Sequence, residues 1–198
     1  MINEEACRLG REAARRLARR GSVEIAPGLT EAEFESIERT YGFEFADDHR
    51  AFLAEGLPLS GPSRPRRSGK SPWPNWRSGV PAELRKQLHW PVEGALFDVE
   101  RNGLWLSAWG QRPSDPVVAV DLARSHLEEA PKLVPIRGHR YLPAGCGDYG
   151  HPVLSIVQTD VIFYGTDIAD YITNEFNGWH ISADWTPPPL VPFWSDFL

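Results

Sequence analysis

Between Leu29 and Pro58 the apolar positions recur with helical period: Phe34, Ile37 and Tyr41 fall on one face. Thr30 and Glu33 stand at capping-box spacing just ahead of that face, and Leu29 and Phe34 occupy the positions of a hydrophobic staple. These signals predict a helix from Glu31 to about Tyr41, stopped by Gly42 as a left-handed C-terminal residue. Asp47 is placed to cap a second short helix carrying Phe52 and Leu53. Two capped helices meeting at Phe43 and Phe45 make a helical hairpin, with Phe34, Phe52 and Leu53 predicted as core.

The same reading extends along the chain. Residues 3–20 predict a helix with a thin stripe of Ala6, Leu9, Ala13 and Leu17 amid six arginines. The stripe lacks the Trp or Phe anchors of a membrane-surface helix, so packing on the domain is expected. Residues 59–79 are rich in Gly, Pro, Ser and Arg and predict a loop, clipped to the body by Trp73 and Trp76. Pro81 opens a short helix through Leu88. GALFDVE and LWLSAW flank Asn102-Gly103, the strongest short hairpin signal, and predict a hairpin over 94–109. Asp98 and Glu100 then share one sheet face. Pro116 to Ala130 predicts a helix with Val117, Val120, Ala123 and Leu127 on one side, ended by Pro131. Leu133–Ile136 predicts a strand, 138–151 a Gly-rich loop, and 153–164 a second hairpin turning at Thr159-Asp160. Ile168–Phe176 predicts a closing helix with Ile168, Tyr171 and Ile172 inward. The tail, 177–198, is too apolar to stay free and is expected to pack back on the domain or on another subunit. This order argues for an α+β fold: a single domain with a mostly antiparallel sheet flanked by helices.

The stretch Leu29–Pro58 also resembles the opening motif of the SUKH superfamily, the Smi/Knr-type domain of fungal cell-wall regulators and many bacterial immunity proteins. Leu29, Thr30, Glu33, Gly42, Asp48, Arg50, Phe52 and Leu53, followed by Gly56, stand at the motif positions. Ala46 replaces the usual proline and His49 the usual tyrosine. The hairpin ending in Gly165-Thr166-Asp167 and the helix after it resemble the end of such domains. Residues 29–176 would form the SUKH-like domain, with 1–28 a helical extension, about 59–79 a loop insertion and 177–198 a packed tail. The resemblance implies a protein-binding domain, often a toxin-neutralising one, without defined chemistry.

Charge refines this picture. The formal charge is -6, distributed as +2 over residues 1–29, -6 over 30–58, +6 over 59–86 and -8 over 87–198. An acidic body disfavours nucleic acid and suits a basic protein partner, such as a basic toxin domain. Cys7 and Cys146 are the only cysteines, too few for a disulfide framework, which fits a reducing cytoplasm. No apolar run is long enough to span a bilayer, so no membrane association is expected. The expected state is a monomer or homodimer.

Candidate chemistry concentrates in His139, Arg140, Tyr141, Cys146, Asp148, Tyr149 and His151. His139, Asp148 and His151 could supply nitrogen and oxygen to a metal, but their spacing matches no zinc pattern, so no metal or other cofactor is expected. Cys146 with a histidine could make a nucleophile, though closeness in sequence does not create a dyad. The plain reading is a structural loop held by local hydrogen bonds and by aromatics packed on the core, with a binding loop as the intermediate case. Paired carboxylates at Asp98 and Glu100 could serve acid-base chemistry only if one had a raised pKa. The usual reading is a solvated sheet face; recognition of a basic partner, with Trp105 and Trp109 as anchors, is a third option. No Walker loop, dinucleotide glycine pattern, nucleophile elbow or paired-histidine zinc helix occurs. The sequence therefore points to a non-enzymatic, cytoplasmic protein-binding domain, an immunity protein neutralising a toxin by occlusion. Its contact residues would be Asp98, Glu100, Trp105, Arg140, Tyr141, Asp148, Tyr149 and His151. The rival readings are a small enzyme or ligand binder using His139, Asp148 and His151, and a housekeeping scaffold.

Overall fold

A computed structural model describes residues 3–60, 72–186 and 193–198. Its helices are α1 (Glu4–Ala18), α2 (Glu31–Tyr41), α3 (Asp47–Glu55), α4 (Pro81–Arg101), α5 (Pro116–Glu128) and α6 (Ile168–Asn177). Strands β1 (Glu24–Ala26) and β2 (Leu57–Leu59) pair as an antiparallel ribbon. Strands β3 (Leu133–Arg137), β4 (Arg140–Pro143), β5 (Val153–Val157) and β6 (Asp160–Gly165) form an antiparallel meander in chain order. The chain is thus a single α+β domain.

Both faces of the meander are covered. Val134, Ile136, Leu142 and Val153 enter a core shared with α1, α2, α3 and α6. Leu133, Tyr141, Leu154, Ile156 and Val161 enter a second core with α4, α5 and Trp194. Double burial explains the near-continuous apolar runs of β3 and β5, where a one-sided sheet would alternate.

The helical opening forms as its residues predict. Thr30 and Glu33 make a reciprocal capping box, and Gly42 closes α2 in the left-handed region at φ +69°. Phe34, Phe52 and Leu53 are buried. Asp47, however, does not cap α3: Ala46 holds the cap position without a side-chain bond, and Asp47 is the first helical residue. The stripe of α1 is thin because α1 lies close against α3. A Cβ on Gly10 would come within 2.6 Å of Ala51 Cβ and of the Phe52 nitrogen, so only small residues fit. Trp73 and Trp76 are buried as expected, whereas 61–71 of the expected loop lie outside the described residues.

The expected hairpin over 94–109 does not form. Pro81 opens a helix of 21 residues that passes through Pro91 and ends only at Arg101. Ala95, Leu96, Asp98 and Val99 are buried while Phe97 is exposed, a helical burial pattern that no strand can give. Asn102-Gly103 is a helix terminus: Gly103 reverses the chain at φ +75°, and the Leu104 N–H reaches the Asp98 carbonyl at 3.0 Å. Interior Pro91 leaves the Gln87 carbonyl without its helical donor. The Tyr141 hydroxyl supplies one from β4 across the second core, at 2.8 Å.

The expected loop over 138–151 also contains more structure. Arg137 pairs with Arg140, so Gly138-His139 is a tight turn and Arg140–Pro143 a strand. The second hairpin forms, turning at Gln158-Thr159. The closing helix buries Ile168, Tyr171 and Ile172 as expected. In the described part of the tail, Trp194 is buried and donates to the Pro131 carbonyl at 2.8 Å.

Candidate functional site

The residues grouped by sequence proximity separate in space. His139 sits at the β3–β4 turn, where its carbonyl accepts from the Ile156 N–H at 2.9 Å. Asp148, Tyr149 and His151 lie in the loop that leaves the other end of β4 and enters β5 at Val153. The four residues of β4 put about 13 Å of strand between the two ends. His139, Asp148 and His151 therefore do not form one centre. Among the described residues no three His, Cys, Asp or Glu side chains are arranged to hold a metal ion.

Arg140 and Tyr141 have structural tasks. Tyr141 is fully buried and serves the Gln87 carbonyl, and burial pushes its hydroxyl pKa up. Arg140 lies 3.6 Å over the Tyr164 ring, donates to Ser155 Oγ at 2.8 Å and approaches Glu175 to 3.5 Å. Glu175 also pairs with Arg137, whose guanidinium lies 5.4 Å from the rings of both Trp73 and Phe176. Burial, then the Arg140 charge, pushes the His139 pKa down. The loop over 144–152 is pinned by α3: Asp47 accepts from the Gly147 N–H at 3.1 Å and Asp48 from the Gly150 N–H at 2.9 Å. Cys146, Asp148 and Tyr149 remain exposed on its outer side.

Asp98, Glu100 and Trp105 do not make the expected acidic, aromatic sheet face. Asp98 is buried on α4 and accepts from the N–H and hydroxyl of Thr159, at 3.0 and 2.6 Å, fixing the β5–β6 turn. Glu100 is exposed and paired with neighbouring Arg101. Trp105 is half-buried, donating to the Gly110 carbonyl at 2.8 Å with its ring edge-on to Trp109.

Two features that sequence reasoning missed are better placed to bind something. The first is the outer face of α5. Val117 is 68% exposed, Val118 51% and Leu122 36%, whereas the expected inward face carried Val117. Asp121 lies exposed among them, and Glu128 and Glu129 are exposed about two turns further along the helix. The helix buries only Ala119, Ala123 and Leu127, so its apolar surplus faces outward. Counting that surplus was the available signal: seven apolar residues follow Pro116, more than one buried stripe uses.

The second is a cleft of about 340 Å³ between the end of α2, the middle of α4 and the end of α5. Phe43, Leu127, Leu133 and Trp194 form its deep apolar part. Arg85, His89, Glu93, Arg124, Glu128 and Lys132 ring it. Glu93 and Arg124 pair at 3.0 Å, joining α4 to α5 across the cleft. No local sequence pattern marks this cleft, because its walls come from segments up to 154 positions apart.

Among the described residues no helix is long and apolar enough to cross a membrane. Comparison with protein-family models, with curated proteins and with solved structures returns no match.

Proposed function

We propose that this chain is a non-enzymatic protein-binding domain whose contact surface is the outer face of α5. The observation that carries the reading is the exposure of Val117, Val118 and Leu122 on one helix, with exposed Asp121 among them and exposed Glu128 and Glu129 about two turns further along. A contiguous apolar patch with a charged border is the usual anatomy of a recognition surface. Its acidic border selects a basic partner: the charges set the association rate, and the aliphatic centre sets the lifetime of the complex.

The narrower proposal is an immunity-type function. It rests on the SUKH-like opening, where the capping box, the left-handed Gly42 and the buried Phe52 and Leu53 support the resemblance. The domain would then neutralise a basic toxin in the cytoplasm by covering its active surface. Two unpaired thiols, Cys7 and Cys146, are compatible with that compartment.

The test is co-expression with a basic toxin domain encoded beside this chain. The intact protein should rescue growth, and so should a His139→Ala, His151→Ala variant. A Val118→Arg, Leu122→Arg variant should fold normally by circular dichroism and lose both rescue and binding. Rescue by the arginine variant at wild-type level would refute α5 as the surface. Loss of rescue in the histidine variant, with folding and toxin binding intact, would refute occlusion and favour catalysis.

A further inference from the structure

We infer that the cleft between α2, α4 and α5 binds a small amphipathic carboxylate, independently of the α5 outer face. Its volume of about 340 Å³ lies at the small end of ligand sites, about 300–1,000 Å³. The interior is apolar, with Leu88 and Val92 on the α4 wall and Leu127, Leu133 and Trp194 beneath. Such a surface takes an aliphatic or aromatic body.

The charges on the rim are not symmetric. At the α5 side, Arg124 is neutralised by Glu93 at 3.0 Å. At the α2 side stand two further cations, Arg85 and Lys132. The Arg85 guanidinium lies 5.6 Å over the Tyr41 ring, and Lys132 Nζ donates to the carbonyl of the next residue, Gly42. Neither Arg85 nor Lys132 has a carboxylate partner among the described residues. Both line the cleft and are exposed, so either can turn toward an anion held in it. This occurs on a chain of net charge -6, in which residues 87–198 alone sum to -8. A carboxylate seated between Arg85 and Lys132 would receive charge-assisted hydrogen bonds, and its apolar body would lie over Leu88, Val92 and Trp194. The remaining rim carboxylate, Glu128, is exposed and repels a second negative group. The site therefore suits a monocarboxylate with one polar end.

The test uses decanoate and decylamine below their micelle concentrations, titrated into the full chain by calorimetry. Decanoate should bind saturably at one site per chain, and decylamine at least about tenfold more weakly, the equivalent of one charge-assisted contact. Lys132→Glu and Arg85→Glu alter exposed side chains and should preserve the fold. Each should weaken decanoate about tenfold or more and improve decylamine. Val92→Trp, which fills the cleft, should abolish binding of both. Equal binding of the two amphiphiles to the wild type, absence of saturable decanoate binding, or unchanged decanoate affinity in both charge variants would overturn the inference. Since none of these variants touches Val118 or Leu122, failure here leaves the partner-binding reading of α5 standing, and the converse holds too.

Discussion

The bond from Tyr141 to the Gln87 carbonyl makes a quantitative double-mutant test. Pro91 has no N–H, so the Gln87 carbonyl four residues earlier cannot be satisfied within α4. The Tyr141 hydroxyl, from a fully buried side chain on β4, fills that role at 2.8 Å. Tyr141→Phe keeps the ring and removes only the donor. The carbonyl is part-buried, so the cost should fall in the lower part of the range of about 1–3 kcal/mol for an unsatisfied buried group. Pro91→Ala restores an N–H at the helical position. In that background Gln87 has a backbone donor, and Tyr141→Phe should cost less by about 1 kcal/mol. Urea unfolding followed by circular dichroism gives all four stabilities, and the m-value checks that the unfolded state is unchanged. Equal losses on Tyr141→Phe in both backgrounds would refute the claim that Tyr141 compensates for Pro91.

Further expectations can be checked by similar means. Phe52→Ala, at a side chain 1% exposed, should cost about 3–5 kcal/mol in the same urea assay; a loss below about 1 would mean the helical hairpin is not seated on the core. Gly10→Val should loosen α1 from α3, because even a Cβ would lie 2.5 Å from the Asp48 carbonyl oxygen; hydrogen exchange should rise first along α1, and unchanged protection there would refute the close contact. Burial pushes Asp48 up to about 6, so the folded chain keeps a proton the unfolded chain releases, and this group makes stability fall as pH rises from about 4 to 6. Burial pushes His49 down to about 3, so the unfolded chain takes a proton the folded chain refuses, and this group makes stability rise with pH up to about 6.5. The two slopes oppose each other: Asp48→Asn should expose the rising one and His49→Gln the falling one, and matching pH profiles for both variants and wild type would refute these assignments.

The parts of the fold legible in the sequence are those fixed by neighbours a few positions apart. The capping box at Thr30 and Glu33, the stop at Gly42 and the apolar stripe of α1 each depend on contacts within one or two helical turns, so spacing alone specifies them. The second hairpin and α6 were legible for the same reason, since β-branched enrichment and the helical spacing of Ile168, Tyr171 and Ile172 act locally. The strand β4 was not, because Gly138-His139 gave no recognised turn signal and its surroundings looked like loop. Nor was the long helix α4: Pro91 and Asn102-Gly103 both carry local signals against it, and those signals lost to tertiary packing. Burial of Ala95, Leu96 and Val99 against the sheet, with Tyr141 answering the carbonyl that Pro91 strands, outweighed the local cost. The candidate sites follow the same division. Sequence identified residue types able to bind, but Asp98, Arg140 and Tyr141 are used inside the fold by partners 15 to 61 positions away. Which apolar face of α5 stays uncovered, and that Arg85 and Lys132 line one cleft, are set by long-range packing, because exposure and cleft lining belong to the assembled chain and not to any window of it.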